Sequence, residues 1–118
     1  MNPFHLSAVA LYLWLLVGHA LCDYPLQGDF MARAKNPKQP IDGVPWDWPM
    51  SAHATIQAGA VWLITGTLWL AAAEYVAHSI IDVAKCRGAF GYATDQQLHI
   101  LCKAVWVAAL VIAGVTRL

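Results

Sequence analysis

Three runs in this chain, residues 6–21, 56–73 and 100–115, are apolar almost throughout, and any fold must keep that unbroken hydrophobic surface from water. With their flanks, the first and last reach the roughly 17 to 25 residues a helix needs to cross a bilayer core. A soluble core built from 118 residues cannot enclose this much helix that is apolar on every side. Composition agrees: 59% of residues are hydrophobic and 12% are charged, outside the usual soluble balance. The expectation is an all-α integral membrane bundle, one domain over residues 1–118, with the lipid bilayer as its first partner.

The N-terminal segment has the outline of a secretory signal. However, no Lys or Arg precedes its apolar run, no small-x-small cleavage site follows, and bulky Leu21 stands before Cys22. It is read as a retained helix. A formal net charge of zero and the lack of any nucleic-acid motif argue against a nucleic-acid partner. Three cysteines with no C-x-x-C pair argue against a disulfide framework or zinc knuckle.

Local breakers set the boundaries. The first helix spans about 6–22 and stops before Pro25, which disfavours helical backbone at Tyr24. A polar loop follows with Arg33, Lys35, Lys38 and four prolines, and Trp46 and Trp48 mark re-entry into the membrane as interfacial aromatics. Residues 51–85 carry no charge before Glu74. As one helix they would reach about 50 Å, too long for a core of about 30 Å. Thr65-Gly66-Thr67 is the poorest helix-forming triplet there and divides them into helices over about 51–64 and 67–85. The next loop ends on Thr94, read as an N-cap with Gln97 as its capping-box partner, and a fourth helix covers about 95–116.

Four such spans put the end of the first, start of the second, end of the third and start of the fourth on one membrane face. Nearly every ionisable residue falls there. Arg33, Lys35, Lys38, Lys85 and Arg87 oppose Arg117 and the amino terminus, so the positive-inside rule turns the polar face to the cytoplasm and both termini outward.

Spacing within each helix then carries the chemistry. His19 and Asp23 are i and i+4; Glu74, His78 and Asp82 are i, i+4 and i+8; Asp95, His99 and Lys103 repeat that rhythm in reverse, each set a stripe on one helix face. By depth they give an outer layer of Asp23, Asp82 and Asp95, then His19, His78 and His99, then Glu74 and Lys103. His53 and Gln57 join from the second helix. Charges at the bilayer centre cost about 2.5 to 3.5 kcal/mol each on insertion scales, so the stripes should converge and Glu74 should form a structural ion pair with Lys103. Imidazoles beneath carboxylates suit a divalent metal, zinc above others, or a pair of metals, with His19, Asp23, His53, His78, Asp82 and His99 as ligands or their orienting groups. The plainer reading is an inert polar core, because a lone His on an apolar helix is more often a satisfied core residue, and i,i+4 His and Asp can neutralise each other. Lys85 and Arg87 read as cytoplasmic anchors, Trp14, Trp62, Trp69 and Trp106 as lipid-facing or packing groups, and Asp42 and Asp47 as solvated carboxylates.

H-x-L-x-D-x-x-L-Q-x-D-x-M from His19 to Met31, His53, H-x-x-x-D-x-x-K (His78, Asp82, Lys85) and D-Q-x-x-H (Asp95, Gln96, His99) together resemble a family of small bacterial and phage integral membrane proteins known only as a domain of unknown function. The resemblance covers about residues 8–115. It implies a bacterial inner-membrane location and no established activity.

The leading expectation is a metal-binding membrane protein, with hydrolysis of a lipid-linked or membrane-adjacent substrate as its candidate reaction, Glu74 or Asp95 as general base, and Gln27 and Asp29 holding a polar head group. Ion or proton transport is a second expectation, weakened because ionisable residues thin out beyond Glu74 and Lys103. The third is a non-enzymatic assembly protein, in which small residues such as Gly59, Ala72 and Gly114 allow close packing with a second copy or a membrane partner.

Overall fold

The computed structural model describes residues 2–118; Met1, whose amino group was expected on the outer face, lies outside them. The described residues fold into five helices and no strand: α1 (Ala8–Asp23), α2 (Gly28–Ala34), α3 (Asp47–Thr65), α4 (Leu68–Cys86) and α5 (Tyr92–Ile112). The four long helices form a ring in the order α1, α3, α4, α5, each packed on two neighbours, while α2 lies against α3.

The boundaries follow from the caps. Ser7 accepts from the Ala10 N–H at 3.4 Å and opens α1, so Leu6 stays outside. At the division between α3 and α4, the Gly66 N–H donates to the Trp62 carbonyl at 2.7 Å, and Thr65 turns its hydroxyl back to the Val61 carbonyl at 2.7 Å. Gly66 sits at φ 69°, with Pro3 against it. A methyl there would meet Pro3 Cδ at 2.9 Å. Gly66→Ala should therefore destabilise the fold by about 1 to 2 kcal/mol or more, the left-handed penalty plus the clash, as read by thermal unfolding in detergent.

Five expectations need correction. The loop after α1 contains α2, a seven-residue helix bent 86° from α1; its Gly-led, mixed sequence gave no periodic signal. The next long helix starts at Asp47, because Pro49 falls in the first turn, where no N–H is needed, and Asp47 meets the positive end of the helix dipole. Asp47 is thus a first-turn carboxylate rather than a loop one. The last helix starts after an extended Gly91, whose carbonyl accepts from the Asp95 N–H at 3.1 Å, so Thr94 lies inside the first turn and does not cap. It ends at Ile112, where Gly114 (φ 72°) lets the Val115 N–H reach the Leu110 carbonyl at 2.9 Å.

Among the described residues, α5 alone is long and apolar enough to cross a membrane by itself; α1 and α2 pass only taken together across their bend. α1 has 16 residues, and α4 carries Glu74, Asp82 and Lys85. The bundle has two unlike halves. One is an apolar core of Leu11, Leu15, Val61, Leu70, Val107 and Leu110. The other is filled with polar side chains.

Candidate functional site

In the polar half, the i,i+4 stripes of four helices face one another. α1 brings His19 and Asp23, α3 brings His53 and Gln57, α4 brings Glu74, His78 and Asp82, and α5 brings Asp95, His99 and Lys103. All but Asp23 are at most 5% exposed, and the Asp23 side chain is 9% exposed. Lys103 Nζ donates to Glu74 Oε1 at 2.6 Å.

Glu74 anchors the deepest layer. Its Oε1 also faces His78 Nδ1 at 3.2 Å, and its Oε2 accepts from Trp106 Nε1 at 2.6 Å. With Nδ1–H donating to Glu74, the lone pair of His78 Nε2 points into the centre. There His53 Nε2 lies 3.0 Å from His78 Nε2, 3.2 Å from Asp23 Oδ1 and 3.5 Å from Asp82 Oδ2. His78 Nε2 in turn lies 3.8 Å from Asp23 Oδ1 and 3.6 Å from Asp82 Oδ2. Ligands of a tetrahedral zinc at about 2.0 to 2.2 Å sit about 3.3 to 3.6 Å apart, and the five separations between the two imidazole nitrogens and these two carboxylate oxygens, 3.0 to 3.8 Å, bracket that range.

A second group shares Asp82. Its Oδ1 accepts from His99 Nε2 at 3.0 Å, and His99 Nε2 is 3.5 Å from Asp95 Oδ1, a buried oxygen with no hydrogen-bond partner. These three residues are close enough to surround a cation, as are His19, His78 and His99. The His78 and His99 rings stack with centroids 4.0 Å apart. His19 Nε2 faces Gln96 Oε1 at 3.1 Å and Asp23 Oδ2 at 3.7 Å. The Nδ1 atoms of His19, His53 and His99 are buried without a partner, so among the ring nitrogens turned away from the centre only that of His78 is held by a carboxylate.

Gln27 and Asp29 part company. Gln27 donates to the Asp23 carbonyl at 3.0 Å and, with Lys35, Asn36, Asp82, Lys85 and Cys86, lines a cavity of about 260 Å³. Asp29 is exposed in the first turn of α2 and does not line it.

Three residues of the cluster were given no part in it at the sequence level. Lys35, read as a loop cation, is buried and donates to Asp82 Oδ2 at 2.5 Å. It arrives at the end of α2, the helix without a sequence signal. Gln96 donates to Asp23 Oδ2 at 2.8 Å and Asp95 Oδ2 at 3.1 Å, tying α1 to α5; its position three residues before His99 places it beside that stripe. Trp106 stands three residues after Lys103, a spacing that puts its indole N–H near the same carboxylate.

The family described as "Protein of unknown function (DUF3307)" matches residues 11–116, and the chain belongs to it. No curated protein and no solved structure matches the chain.

Proposed function

We propose that this member of a family of unknown function is an integral membrane protein whose cytoplasm-facing polar core binds a divalent metal, zinc by preference, for hydrolysis at the membrane surface. The observation that carries the metal reading is the convergence of Asp23 Oδ1 and Asp82 Oδ2 on His53 Nε2 and His78 Nε2, the two nitrogens 3.0 Å apart and each oxygen 3.2 to 3.8 Å from both. Charge supports it. Glu74, Asp82, Asp95 and the nearly buried Asp23 face two buried lysines, Lys35 and Lys103, and the partly exposed Lys85, so the carboxylates outnumber the lysines and the excess negative charge favours a bound cation.

The membrane reading rests on inverted burial. The core is half polar, while Val9, Leu13, Trp14 and Val17 on α1, Trp62 and Leu63 on α3, Trp69, Val76 and Ile80 on α4, and Leu101, Val105 and Ile112 on α5 all face outward. A water-soluble bundle of this size does not present so continuous an apolar exterior. The long helices would reach about 24 to 32 Å at 1.5 Å per residue, close to a hydrocarbon core of about 30 Å. α2, turned 86° from α1 with Phe30 exposed, suits an interfacial helix.

A bound metal would acidify a coordinated water. Asp95, with its unpartnered Oδ1, is the carboxylate left free to take the proton. Glu74 is not: both its oxygens already accept hydrogen bonds, so it becomes a positioning residue for His78. The apolar half packed by Leu11, Leu15, Leu70 and Leu110 supports a one-sided site over a through-path for ions.

Two measurements test this reading. The protein should stay with the membrane pellet through an alkaline carbonate wash; release into the supernatant would refute membrane integration. Elemental analysis of chelator-free protein purified in detergent should find at least one equivalent of divalent metal. A protein that takes up neither zinc nor manganese when offered them is an inert polar core, and the assembly role becomes the better account.

A further inference from the structure

We infer that the cavity beside Asp82 is a subsite for a phosphate-bearing group, the phosphate ester of a lipid head group or free phosphate, bound against the metal-loaded centre. The inference rests on the metal reading above. The cavity has about 260 Å³ and lies where the end of α2 meets the end of α4. That is just below the roughly 300 to 1,000 Å³ of drug-sized ligand sites, so it suits a head group rather than a whole amphiphile. Its floor is Asp82, which groups with Asp95 and His99 closely enough to surround a cation and whose Oδ2 also lies 3.5 Å from His53 Nε2 and 3.6 Å from His78 Nε2. A group bound there would abut the metal.

Its lining selects an anion. Lys35 and Lys85 both line it, and each now leans on a carboxylate of the centre, Lys35 on Asp82 at 2.5 Å and Lys85 on Asp95 at 4.0 Å. Once Asp82 holds a cation, Lys35 loses much of that attraction, and Lys85, 4.0 Å from Asp95, is held only loosely. With Lys85 counted, four carboxylates against three lysines leave one negative charge, which a divalent ion turns into one positive. A phosphate answers that excess. Its several acceptor oxygens match two ammonium groups and the Asn36 side-chain amide, whose own oxygen is held by the Lys38 N–H at 2.9 Å. Gln27 Oε1, buried and unpartnered, is an acceptor for a P–OH or a head-group hydroxyl. Among the described residues, Asp82 is the one carboxylate that lines the cavity and could repel an anion.

The test uses the full chain, zinc-loaded, in a maltoside detergent that contains no phosphate, with metal content measured on the same sample. Inorganic phosphate, glycerol phosphate and a short-chain phosphatidic acid are titrated by calorimetry. Saturable binding, weakened about tenfold or more in Lys85→Gln at unchanged metal content and unchanged circular dichroism, is the expected result. Phosphatidic acid binding at least tenfold tighter than inorganic phosphate identifies the lipid head group as the source. Equal affinities identify free phosphate or a soluble ester. Metal-loaded protein that binds none of the three, or Lys85→Gln that binds them as the parent does, overturns the subsite and leaves the metal reading standing. Absence of metal overturns both.

Discussion

Replacing His78 with alanine should strip the metal from the protein, lowering its affinity at least about a hundredfold while the helices persist. Removing only an orienting group behind a metal-bound imidazole typically costs 10- to 100-fold, and here the donor atom itself is lost. His78 is also the shared element of the cluster: its Nε2 faces His53, Asp23 and Asp82, and its ring stacks on His99. A competition assay with a chromophoric zinc chelator reads the affinity, and circular dichroism checks the fold. Glu74→Gln separates ligation from support. It keeps an acceptor near His78 Nδ1 but removes the charge, so metal should be held about 10- to 100-fold more weakly rather than lost. Wild-type affinity in both variants would assign the cluster to packing alone.

What could be read from the sequence, and what could not, divides along physical lines. The i,i+4 stripes needed only the helical period, and the break at Gly66 needed only the poor helix propensity of a glycine between two β-branched threonines, which the structure meets with Gly66 at φ 69°. Together they determine which face of α4 and which end of α3 share a chamber. Had residues 51–85 formed one straight helix, His53 and His78 would lie about 38 Å apart along it at 1.5 Å per residue, instead of with ring nitrogens in contact at 3.0 Å. Lys35 was illegible for the opposite reason. Its place depends on a seven-residue helix that follows a sharp bend, and such a segment is stabilised by tertiary packing more than by its own propensity. The ends of α3 and α5 were misjudged because Pro49 reads as a breaker unless it falls in a first turn, and Thr94 reads as a cap unless the glycine three residues earlier takes that role. Gln96 and Trp106 lay beside stripes already recognised, but amides and indoles give no charge pattern to follow.

The buried pair of Glu74 and Lys103 should prove to be a requirement of the site rather than a source of stability. Each side chain is 1% exposed, and the pair marks where both stripes change character: one turn further in, α4 presents Leu70 and α5 presents Val107, both in the apolar core. Lys103→Met leaves the Glu74 carboxylate with only His78 and Trp106 as donors, and removing one partner of a buried pair costs about 3 to 5 kcal/mol, a large share of any domain's stability. Thermal unfolding in detergent should register that loss. The double variant Glu74→Leu with Lys103→Leu removes both charges and extends the apolar half by one layer; buried pairs replaced in this way often return a fold to its original stability or raise it by about 1 to 4 kcal/mol. Metal affinity should move the other way, because His78 Nδ1 then has no carboxylate to hold its ring and tautomer. A double variant as stable as the parent but binding metal at least tenfold more weakly would mean the pair is retained for His78. One that binds metal normally would reduce Glu74 and Lys103 to two mutually compensating charges, with His78 held by its packing on His99 instead.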